Sequence, residues 1–441
     1  MILQKIYSLM AETKVGIITM GCPKNMVDSE KLAASLQKNG FWVEHENQDA
    51  DIIVINTCGF INDAKEESIN EILNQIERKK QNENLKIVVT GCLAERYRDQ
   101  LQKEIPEIDD LFGVHDYDKV VENITGNHAQ KPEDRILSTP SHFAYLKISE
   151  GCNRNCSFCA IPLIRGKQIS VEMDLLIAEA KQLAAKGVKE LIVIAQDTVS
   201  YGLDLYGEKR IAPLLNNLSE IEGIEWIRLM YTYPAGFPDE LIDEMASNPK
   251  IVKYVDIPLQ HFSSPILQSM KRGIDSVETE KLITKLRKRI PSVSIRSTFI
   301  VGYPGETVSQ FFELYEFVKR MKFERFGVFA YSPEEDTPAF VLKDDIPHRT
   351  KMKRMSDLLR IHEEFSVERN EKMVGTEMQA IVDHYDAEDQ IFVGRTAADA
   401  PEIDNIVRFL PASGKQIFPG MIVNVKVVSA GLFDLECEIV E

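Results

Sequence analysis

The sequence predicts an α/β protein in three parts: an N-terminal open parallel sheet, a central partial (β/α)6 barrel and a small C-terminal antiparallel β-barrel. Residues 14–125 and 140–370 alternate β-branched apolar runs with helical stretches, the pattern of βαβ units and parallel sheets. Residues 376–441 instead carry short alternating apolar runs separated by turn signals, which is typical of small barrels. We expect domains at residues 14–127, 138–372 and 374–441.

Composition and length are those of a globular protein, because 441 residues suffice for several domains of ~150 residues each. No run of 18 apolar residues appears, so we expect no membrane partner. The apolar stretch within residues 1–13 is short and lacks a small-residue cleavage site, which argues against a signal peptide. Seven cysteines without an export signal predict a reducing cytoplasm and metal or catalytic use rather than disulfides.

In the N-terminal part, three cysteines each follow a predicted strand and have a glycine neighbour. The strands and helices are predicted at residues 15–19, 28–39, 51–57, 63–80 and 86–90. Cys22, Cys58 and Cys92 come just after the three strands, and the carboxyl ends of parallel strands share one edge. We therefore expect the three thiols to converge, with glycine letting the backbone approach a bulky group. The alternative is three buried structural cysteines.

The central part opens with the cysteine spacing C-x3-C-x2-C, formed by Cys152, Cys156 and Cys159. Three thiolates can hold three irons of a [4Fe-4S] cluster, which usually takes four cysteines. No fourth cysteine follows locally, so one iron is expected to stay open for a reactant, by analogy with catalytic zinc sites. A zinc site and unpaired structural cysteines are the alternatives, but zinc motifs favour two pairs of ligands.

Six strand signals with helices between them predict the partial barrel. The strands are predicted at residues 145–149, 190–195, 226–230, 254–257, 293–299 and 327–330. The helices are predicted at residues 172–186, 239–246, 277–289, 307–321 and 347–373. Active sites of parallel barrels lie at the carboxyl ends of the strands, and the loop with the three cysteines follows the first strand. The C-terminal strands are predicted at residues 378–382, 391–394, 406–409, 422–428 and 435–440.

The cysteine spacing, with the aromatic Phe158 just before Cys159, resembles the signature of the radical S-adenosylmethionine (SAM) superfamily. The resemblance implies a partial barrel and an open iron that binds the amino and carboxylate groups of SAM. One-electron reduction then yields a 5′-deoxyadenosyl radical. No side chain is assigned a catalytic role of its own.

The same resemblance suggests SAM contacts. Phe158 is expected to pack against adenine, unless it is a core aromatic. Gly302 and Gly305 lie in a loop after the fifth strand that resembles the SAM-contacting glycine motif, although a structural turn is the alternative. The polar candidates follow the second and fourth strands and are Gln196, Asp197, Asp256 and Gln260.

Three further runs, residues 21–25, 56–60 and 90–92, look like the N-terminal domain of the methylthiotransferases. That family combines this domain with a radical-SAM barrel and a C-terminal TRAM barrel, and the resemblance covers residues 14–441. It implies a second [4Fe-4S] cluster on Cys22, Cys58 and Cys92, whose open iron carries the sulfur to be inserted, and a second SAM that methylates this sulfur.

Within the family, the chain is similar to the RimO-like, ribosomal-protein-modifying branch. The similar runs are residues 156–162, 165–166, 195–198 and 394–404. Val171 departs from the pattern, since a basic residue is expected after Ser170. The resemblance implies conversion of an aspartate in ribosomal protein S-twelve, on the small ribosomal subunit, to 3-methylthioaspartate. An electron donor is implied as a further partner.

Charge favours the same branch. The formal net charge is −17, and residues 376–441 contain twelve Asp or Glu and four Lys or Arg. A tRNA-binding domain needs cations for the phosphates, so no tRNA is expected, whereas an acidic barrel attracts a basic protein. Acidity for solubility alone is the alternative. Two other functions stay open: a MiaB-like tRNA adenosine methylthiotransferase, and a non-catalytic iron–sulfur protein that binds the ribosome.

Overall fold

The computed structural model describes residues 13–46, 49–128, 134–410 and 416–440. The chain forms two compact units. The first contains Met1–Thr139, Glu150–Arg154 and Ala160–Gln168, and the second contains Pro140–Ser149, Asn155–Cys159 and Ile169–Glu441. All but the last residue of the N-terminal segment 1–13 lies outside the described residues. Among the described helices, none has the length and apolarity needed to cross a membrane.

The first unit is built on a five-stranded parallel sheet with the order β2-β1-β3-β4-β5. Its strands are β1 Lys14–Thr19, β2 Trp42–His45, β3 Ile52–Thr57, β4 Lys86–Gly91 and β5 Asp110–Leu111. Its helices are α1 Pro23–Lys38, α2 Asn62–Gln81, α3 Cys92–Glu104, α4 Tyr117–Thr125 and α5 Ile161–Arg165. The strands β1, β3 and β4 confirm the three sequence-predicted strands.

Both faces of this sheet are covered, which explains the continuous apolar runs of its strands. Val54 belongs to a core on one face, together with Leu36 of α1. Ile53 and Ile55 belong to a core on the other face, together with Ile72 of α2. The edge strands β2 and β5 are absent from the sequence prediction, because one is short and half-polar and the other has only two residues.

The second unit contains six parallel strands in chain order, divided into sheets β6-β9-β10 and β11-β12-β13. An isolated parallel bridge also joins Ile227, in the third strand, to Ile251. The strands are β6 Phe143–Lys147, β9 Glu190–Ile194, β10 Trp226–Leu229, β11 Tyr254–Asp256, β12 Ser294–Val301 and β13 Arg325–Ala330; the short β7 Ser149–Glu150 and β8 Ile169–Ser170 lie between β6 and β9 in the chain. This arrangement confirms the partial barrel.

The helices of this unit are α6 Met173–Ala185, α7 Leu203–Tyr206, α8 Ile211–Ser219, α9 Asp239–Ser247, α10 Ser264–Ser269, α11 Ser276–Arg289, α12 Val308–Met321 and α13 His348–Met373. Two of them begin at capping boxes, with Asp275 and Thr307 as the capping residues, which agrees closely with the starts that the sequence predicts. Helices α7, α8 and α10 were not predicted from the sequence.

The C-terminal strands close a five-stranded barrel in the order β14-β15-β16-β18-β17. They are β14 Glu377–Asp386, β15 Ile391–Thr396, β16 Val407–Phe409, β17 Ile422–Ala430 and β18 Leu435–Ile439. One pair, β16 with β18, is parallel, so the barrel is not purely antiparallel as the sequence pattern indicated. Cys437 is buried in its apolar core.

The carboxyl end of β15 and the segment that follows it pack against the amino ends of the central strands. Arg395 pairs with Glu190 of β9 at 2.8 Å, and Asp404 accepts a hydrogen bond from Tyr254 of β11 at 2.7 Å. Asp399 pairs with Arg325 of β13. Removing one member of such a buried pair is costly, because it leaves an uncompensated charge. The amino end of the partial barrel is therefore occupied by structural ion pairs.

Candidate functional site: two cysteine sites

The first unit places Cys22, Cys58 and Cys92 at the carboxyl edge of its sheet. Cys22 precedes α1, Cys92 is the first residue of α3, and Cys58 directly follows β3. Their parent strands β1, β3 and β4 are direct neighbours in the sheet. The thiols are close enough to interact electrostatically, since Cys22 and Cys92 both act on the pKa of Cys58. The structure thus brings this trio together.

Glycines make this convergence possible. Gly21 has a φ of +87°, and a Cβ atom there would lie 2.6 Å from Cβ of Cys58. A Cβ atom at Gly59 would lie 2.8 Å from the Cα atom of Leu93. Both distances are too short for a side chain, so the loops approach each other only because these residues have none.

Three thiols are a donor set that fits an iron–sulfur cluster, because each thiolate binds a different iron. Cys58 and Cys92 are buried and Cys22 is half-buried, so the three side chains are largely shielded from water. In the described parts of the chain, no three His, Cys, Asp or Glu side chains are arranged to hold a single metal ion.

Burial raises the pKa of the Cys58 thiol to about 12, although a hydrogen bond from the backbone of Phe60 opposes the rise. Burial also raises the pKa of Cys92, and the positive charge of Arg165 opposes this. Burial thus disfavours the thiolate form that binds iron. Iron binding at this site would be coupled to the loss of thiol protons.

Arg165, on α5, is the functional candidate that sequence reasoning missed, since it entered only as part of a family motif. Its side chain is buried and donates to Asp28 at 3.2 Å and to Glu150 at 2.6 Å. It also donates to Oδ1 of Asn25, which lies 3.8 Å from Sγ of Cys92. Burial would lower the pKa of Arg165, but Asp28 and its other anionic neighbours raise it above its usual range. The arginine is therefore a permanent cation beside Cys92.

The loop with the other three cysteines is shared between the two units. Cys152 belongs to the first unit, where its backbone N–H donates to the carbonyl of Gly166 at 3.1 Å. Cys156 and Cys159 belong to the second, and the N–H of Cys159 donates to the carbonyl of Cys156 at 3.1 Å. Between them, the backbone N–H of Ser157 donates to the carbonyl of Met270, and the carbonyl of Ser157 accepts from the N–H of Ala339. These two hydrogen bonds hold the loop in place.

Cys156 lies in a positively charged environment. Nη1 of Arg272 donates to Sγ of Cys156 at 3.2 Å, and the hydroxyl of Tyr233 lies 3.6 Å from the same sulfur. The guanidinium group stacks on the Tyr233 ring at 4.2 Å from its centroid. Nε of Arg272 is buried without a hydrogen-bond partner. A buried cation against a cysteine sulfur fits an anionic iron–sulfur cluster at this position.

Several residues that were predicted to contact SAM pack against or hydrogen-bond to other residues of the protein. Phe158 packs against the apolar cluster that contains Met270 and Tyr303. Asp197 is buried and accepts hydrogen bonds from the N–H of Val199 and the hydroxyl of Ser200. Asp256 is buried too and accepts a hydrogen bond from the N–H of Tyr231 at 2.9 Å.

The remaining SAM candidates also follow carboxyl ends of barrel strands. Gln196 is half-buried just beyond β9. Gln260 has a left-handed φ of +73°, and its backbone bonds to Thr298 and Ile300 of β12. Backbone strain of this kind is concentrated at functional sites.

Gly302 and Gly305 follow β12 in a tight turn. The N–H of Gly302 donates to the carboxylate of Glu306, and a Cβ atom at Gly302 would collide with the side chain of Lys351. The N–H of Gly305 donates to Asp345 at 3.2 Å. The turn therefore requires glycine at position 302 for structural reasons, and its role toward SAM stays a prediction.

Family models match three stretches of the chain. Residues 14–113 match "Uncharacterized protein family UPF0004", residues 146–318 match "Radical SAM superfamily", and residues 374–440 match "TRAM domain". These matches agree with the order of the open sheet, the partial barrel and the closed barrel.

Solved structures share the fold at low identity. The radical SAM methyltransferase TsrM from Kitasatospora setae, solved with tryptophan and a SAM analogue, aligns with a TM-score of 0.54 and 14% identity over 75% of each chain. The cobalamin-dependent SAM radical enzyme OxsB aligns with a TM-score of 0.52 and 13% identity, covering 81% of this chain and 56% of its own. These likenesses support the fold alone.

Curated relatives match nearly the whole chain. A protein of Cytophaga hutchinsonii is 46% identical over 98% of both chains, and one of Porphyromonas gingivalis is 43% identical over 98% of this chain and 100% of its own. A third, from Caldanaerobacter subterraneus subsp. tengcongensis, is 46% identical over 96% of this chain and 98% of its own. Each is named "Ribosomal protein uS12 methylthiotransferase RimO". This chain therefore belongs to the RimO family of radical SAM methylthiotransferases.

Proposed function

We propose that this chain attaches a methylthio group to the β-carbon of an aspartate in ribosomal protein S-twelve, the uS12 of its relatives' names. The observation that carries the proposal is the identity of 43–46% to these relatives over nearly the full chain. The reaction must remove a hydrogen from a carbon that is not acidic, which ordinary side-chain acids and bases cannot do. The two cysteine sites support the proposal because they could hold a cofactor for this step. A cofactor must supply that step.

An iron–sulfur cluster and SAM are the cofactors that the family implies, and we propose that there are two [4Fe-4S] clusters. Cys152, Cys156 and Cys159 would hold the one that binds SAM, and Cys22, Cys58 and Cys92 would hold the other. When bound, the first of these clusters would supply the electron for SAM cleavage, and the second would supply a site for the sulfur. The chain's own residues orient these groups: Gly21 allows the close approach at Cys58, and Ser157 anchors the loop between Cys156 and Cys159.

The SAM contacts are proposed at the carboxyl ends of the barrel strands. Gln196 and Gln260 would contact polar groups of SAM, with the backbone of Gly302 and Gly305 beside them. Asp197 and Asp256 would act mainly through the turns that they stabilise. Phe158 would present its exposed part to adenine. The proposed domain limits, 14–127, 138–372 and 374–441, extend beyond the stretches that match family models, most of all at the end of the central domain.

The proposed partner is a basic protein, in the cytoplasm and on the assembling or complete small ribosomal subunit. A protein that binds ribosomal RNA needs Lys and Arg for the phosphates, and residues 376–441 of this chain have a net charge of −8 from twelve acidic and four basic residues. The same acidity argues against tRNA. An unidentified low-potential electron donor completes the set of partners.

The proposal is tested by comparing the masses of ribosomal protein S-twelve and of tRNA from cells with and without this chain. We expect the ribosomal protein to lose a methylthio group when the chain is absent, while the tRNA is unchanged. Loss of a methylthio group from tRNA alone would favour the tRNA adenosine methylthiotransferase instead.

Cysteine variants separate the two proposed sites in anaerobically reconstituted protein with SAM and a strong reductant. Cys156→Ser should abolish 5′-deoxyadenosine, whereas Cys58→Ser should still form it but attach no methylthio group. Cys437→Ser, in the C-terminal core, is the control and should do both. Formation of no 5′-deoxyadenosine by the unaltered chain would favour a non-catalytic ribosome-binding protein.

A further inference from the structure

Arg272 is a buried cation without a carboxylate. Its side chain is 4% exposed and follows α10 in a turn. Nη1 donates to Sγ of Cys156 at 3.2 Å, and Nη2 donates to the carbonyl of Pro258 at 2.5 Å. Nε has no hydrogen-bond partner. Within the residues that the structure describes, no Asp or Glu forms an ion pair with it.

Other buried arginines of the same unit are neutralised. Arg228 pairs with Glu190 at 2.7 Å, and Arg354 pairs with Glu306 at 3.1 Å. Burying a charge without an opposite charge is unfavourable, so buried arginines normally have a carboxylate partner. Among the described residues, the side-chain acids in contact with Arg272 are the thiol of Cys156, to which it donates, and the phenol ring of Tyr233, on which it stacks.

On the basis of the proposed function, we propose that Arg272 is the counter-ion of the cluster held by Cys152, Cys156 and Cys159, and that it raises the reduction potential of this cluster. Reduction adds one electron from an external low-potential donor and makes the cluster more negative by one unit. A fixed cation stabilises that reduced form. Net charge and hydrogen bonds to the sulfurs are among the factors that set cluster potentials. Arg272 supplies both at once.

The carboxylate of SAM is a second anion that such a cation could serve. The two roles can be distinguished by experiment, because a counter-ion of the cluster affects its reduction potential even when no SAM is bound. The potential measured without SAM therefore reports on the cluster, and the affinity for SAM reports on the carboxylate.

The test uses the full chain with Cys22, Cys58 and Cys92 replaced by Ala, so that one cluster remains. This parent is compared with Arg272→Met, Arg272→Lys and the control Arg320→Met, which removes a surface partner of Glu280. Iron content, circular dichroism and a redox titration followed by electron paramagnetic resonance are measured without SAM. We expect the midpoint potential of Arg272→Met to be more negative than that of the parent, with Arg272→Lys between them and Arg320→Met unchanged.

Loss of iron from Arg272→Met but not from Arg272→Lys would also support the proposal, because lysine keeps the charge. Equal loss from both folded variants would overturn it, since shape rather than charge would then matter. An Arg272→Met protein that keeps its iron and has the same midpoint potential as the parent would overturn the proposal too. If that protein also bound SAM more weakly, the cation would be assigned to the carboxylate of SAM. A parent without iron would instead remove the cluster assignment of the proposed function.

Discussion

Both cysteine sites place one buried arginine beside one cysteine, but the charges around the two arginines differ. Arg165, beside Cys92, is surrounded by the carboxylates of Asp28 and Glu150. Arg272, beside Cys156, contacts a backbone carbonyl and an aromatic ring instead. Among the described residues, Arg165 is therefore opposed by two carboxylates, whereas Arg272 is opposed by none.

This contrast suggests how the two proposed clusters would acquire different tasks. Negative surroundings disfavour the reduced form of a cluster, and positive surroundings favour it. We therefore expect the proposed cluster of the barrel to be reduced more easily than the proposed cluster of the first unit. The cluster of the first unit would stay oxidised and available for sulfur.

The largest effect is expected from Gly21→Ala, which changes only the site formed by Cys22, Cys58 and Cys92. The new Cβ atom would lie 2.6 Å from Cβ of Cys58, in a backbone conformation that disfavours side chains. We expect Cys58 to be displaced and the iron of this site to be lost, while the barrel site keeps its iron. Iron content and electron paramagnetic resonance of the reconstituted protein measure this.

Gly40→Ala is the matched control, because Gly40 has a similar φ of +91° but open space around it. It should cost only the conformational strain of about 1–2 kcal/mol and keep all iron. If Gly21→Ala also kept its full iron content, the glycine contact would not be what sets the position of Cys58.

An intermediate effect is expected from acid on the second unit. Burial lowers the pKa of His261 to about 3 and that of His362 to about 4. Unfolding restores a pKa near 6.5, so the unfolded chain binds more protons between these values and stability falls as the pH drops from about 6.5 toward 3. Urea unfolding at pH 7 and pH 5, followed by the fluorescence of buried Trp226, should show a lower midpoint at pH 5.

His261→Asn keeps an acceptor for the N–H of Ser263 and should reduce this pH dependence, whereas His128→Asn, at an exposed position, should leave it unchanged. The measurement uses a Trp42→Phe background, since the chain has two tryptophans and Trp42 lies in the first unit. An equal midpoint at both pH values would contradict the predicted acid sensitivity.

The smallest effect is expected from Asp28→Asn, which removes one of the carboxylates that oppose Arg165. The potential of the first cluster should become less negative, by less than the change expected for Arg272→Met. Asp118→Asn, on the exposed surface of α4, is the control. A redox titration of protein in which Cys152, Cys156 and Cys159 are Ala makes the comparison. A more negative potential in Asp28→Asn would refute the charge difference between the sites.

Local signals in the sequence were sufficient for much of the architecture. The strands β1, β3 and β4 are apolar on both faces, and a glycine–cysteine pair follows each of them, so their position and their edge were predictable. Edge strand β2 was missed because its alternation is short, with exposed Trp42 and Glu44. The parallel pairing of β16 with β18 was missed because pairing depends on which strands meet, and the apolar pattern does not encode this.

The sequence by itself determined the six cysteines, their spacing and the strand ends that present three of them, because these features are local. Only the tertiary structure placed Arg165 against Asn25, 140 residues away, and Arg272 against Cys156, 116 residues away. Contacts over such separations arise from the packing of whole elements, and no local pattern around either arginine records its partner. The charge beside each group of cysteines is therefore a property of the fold, whereas the spacing of the cysteines is a property of the sequence.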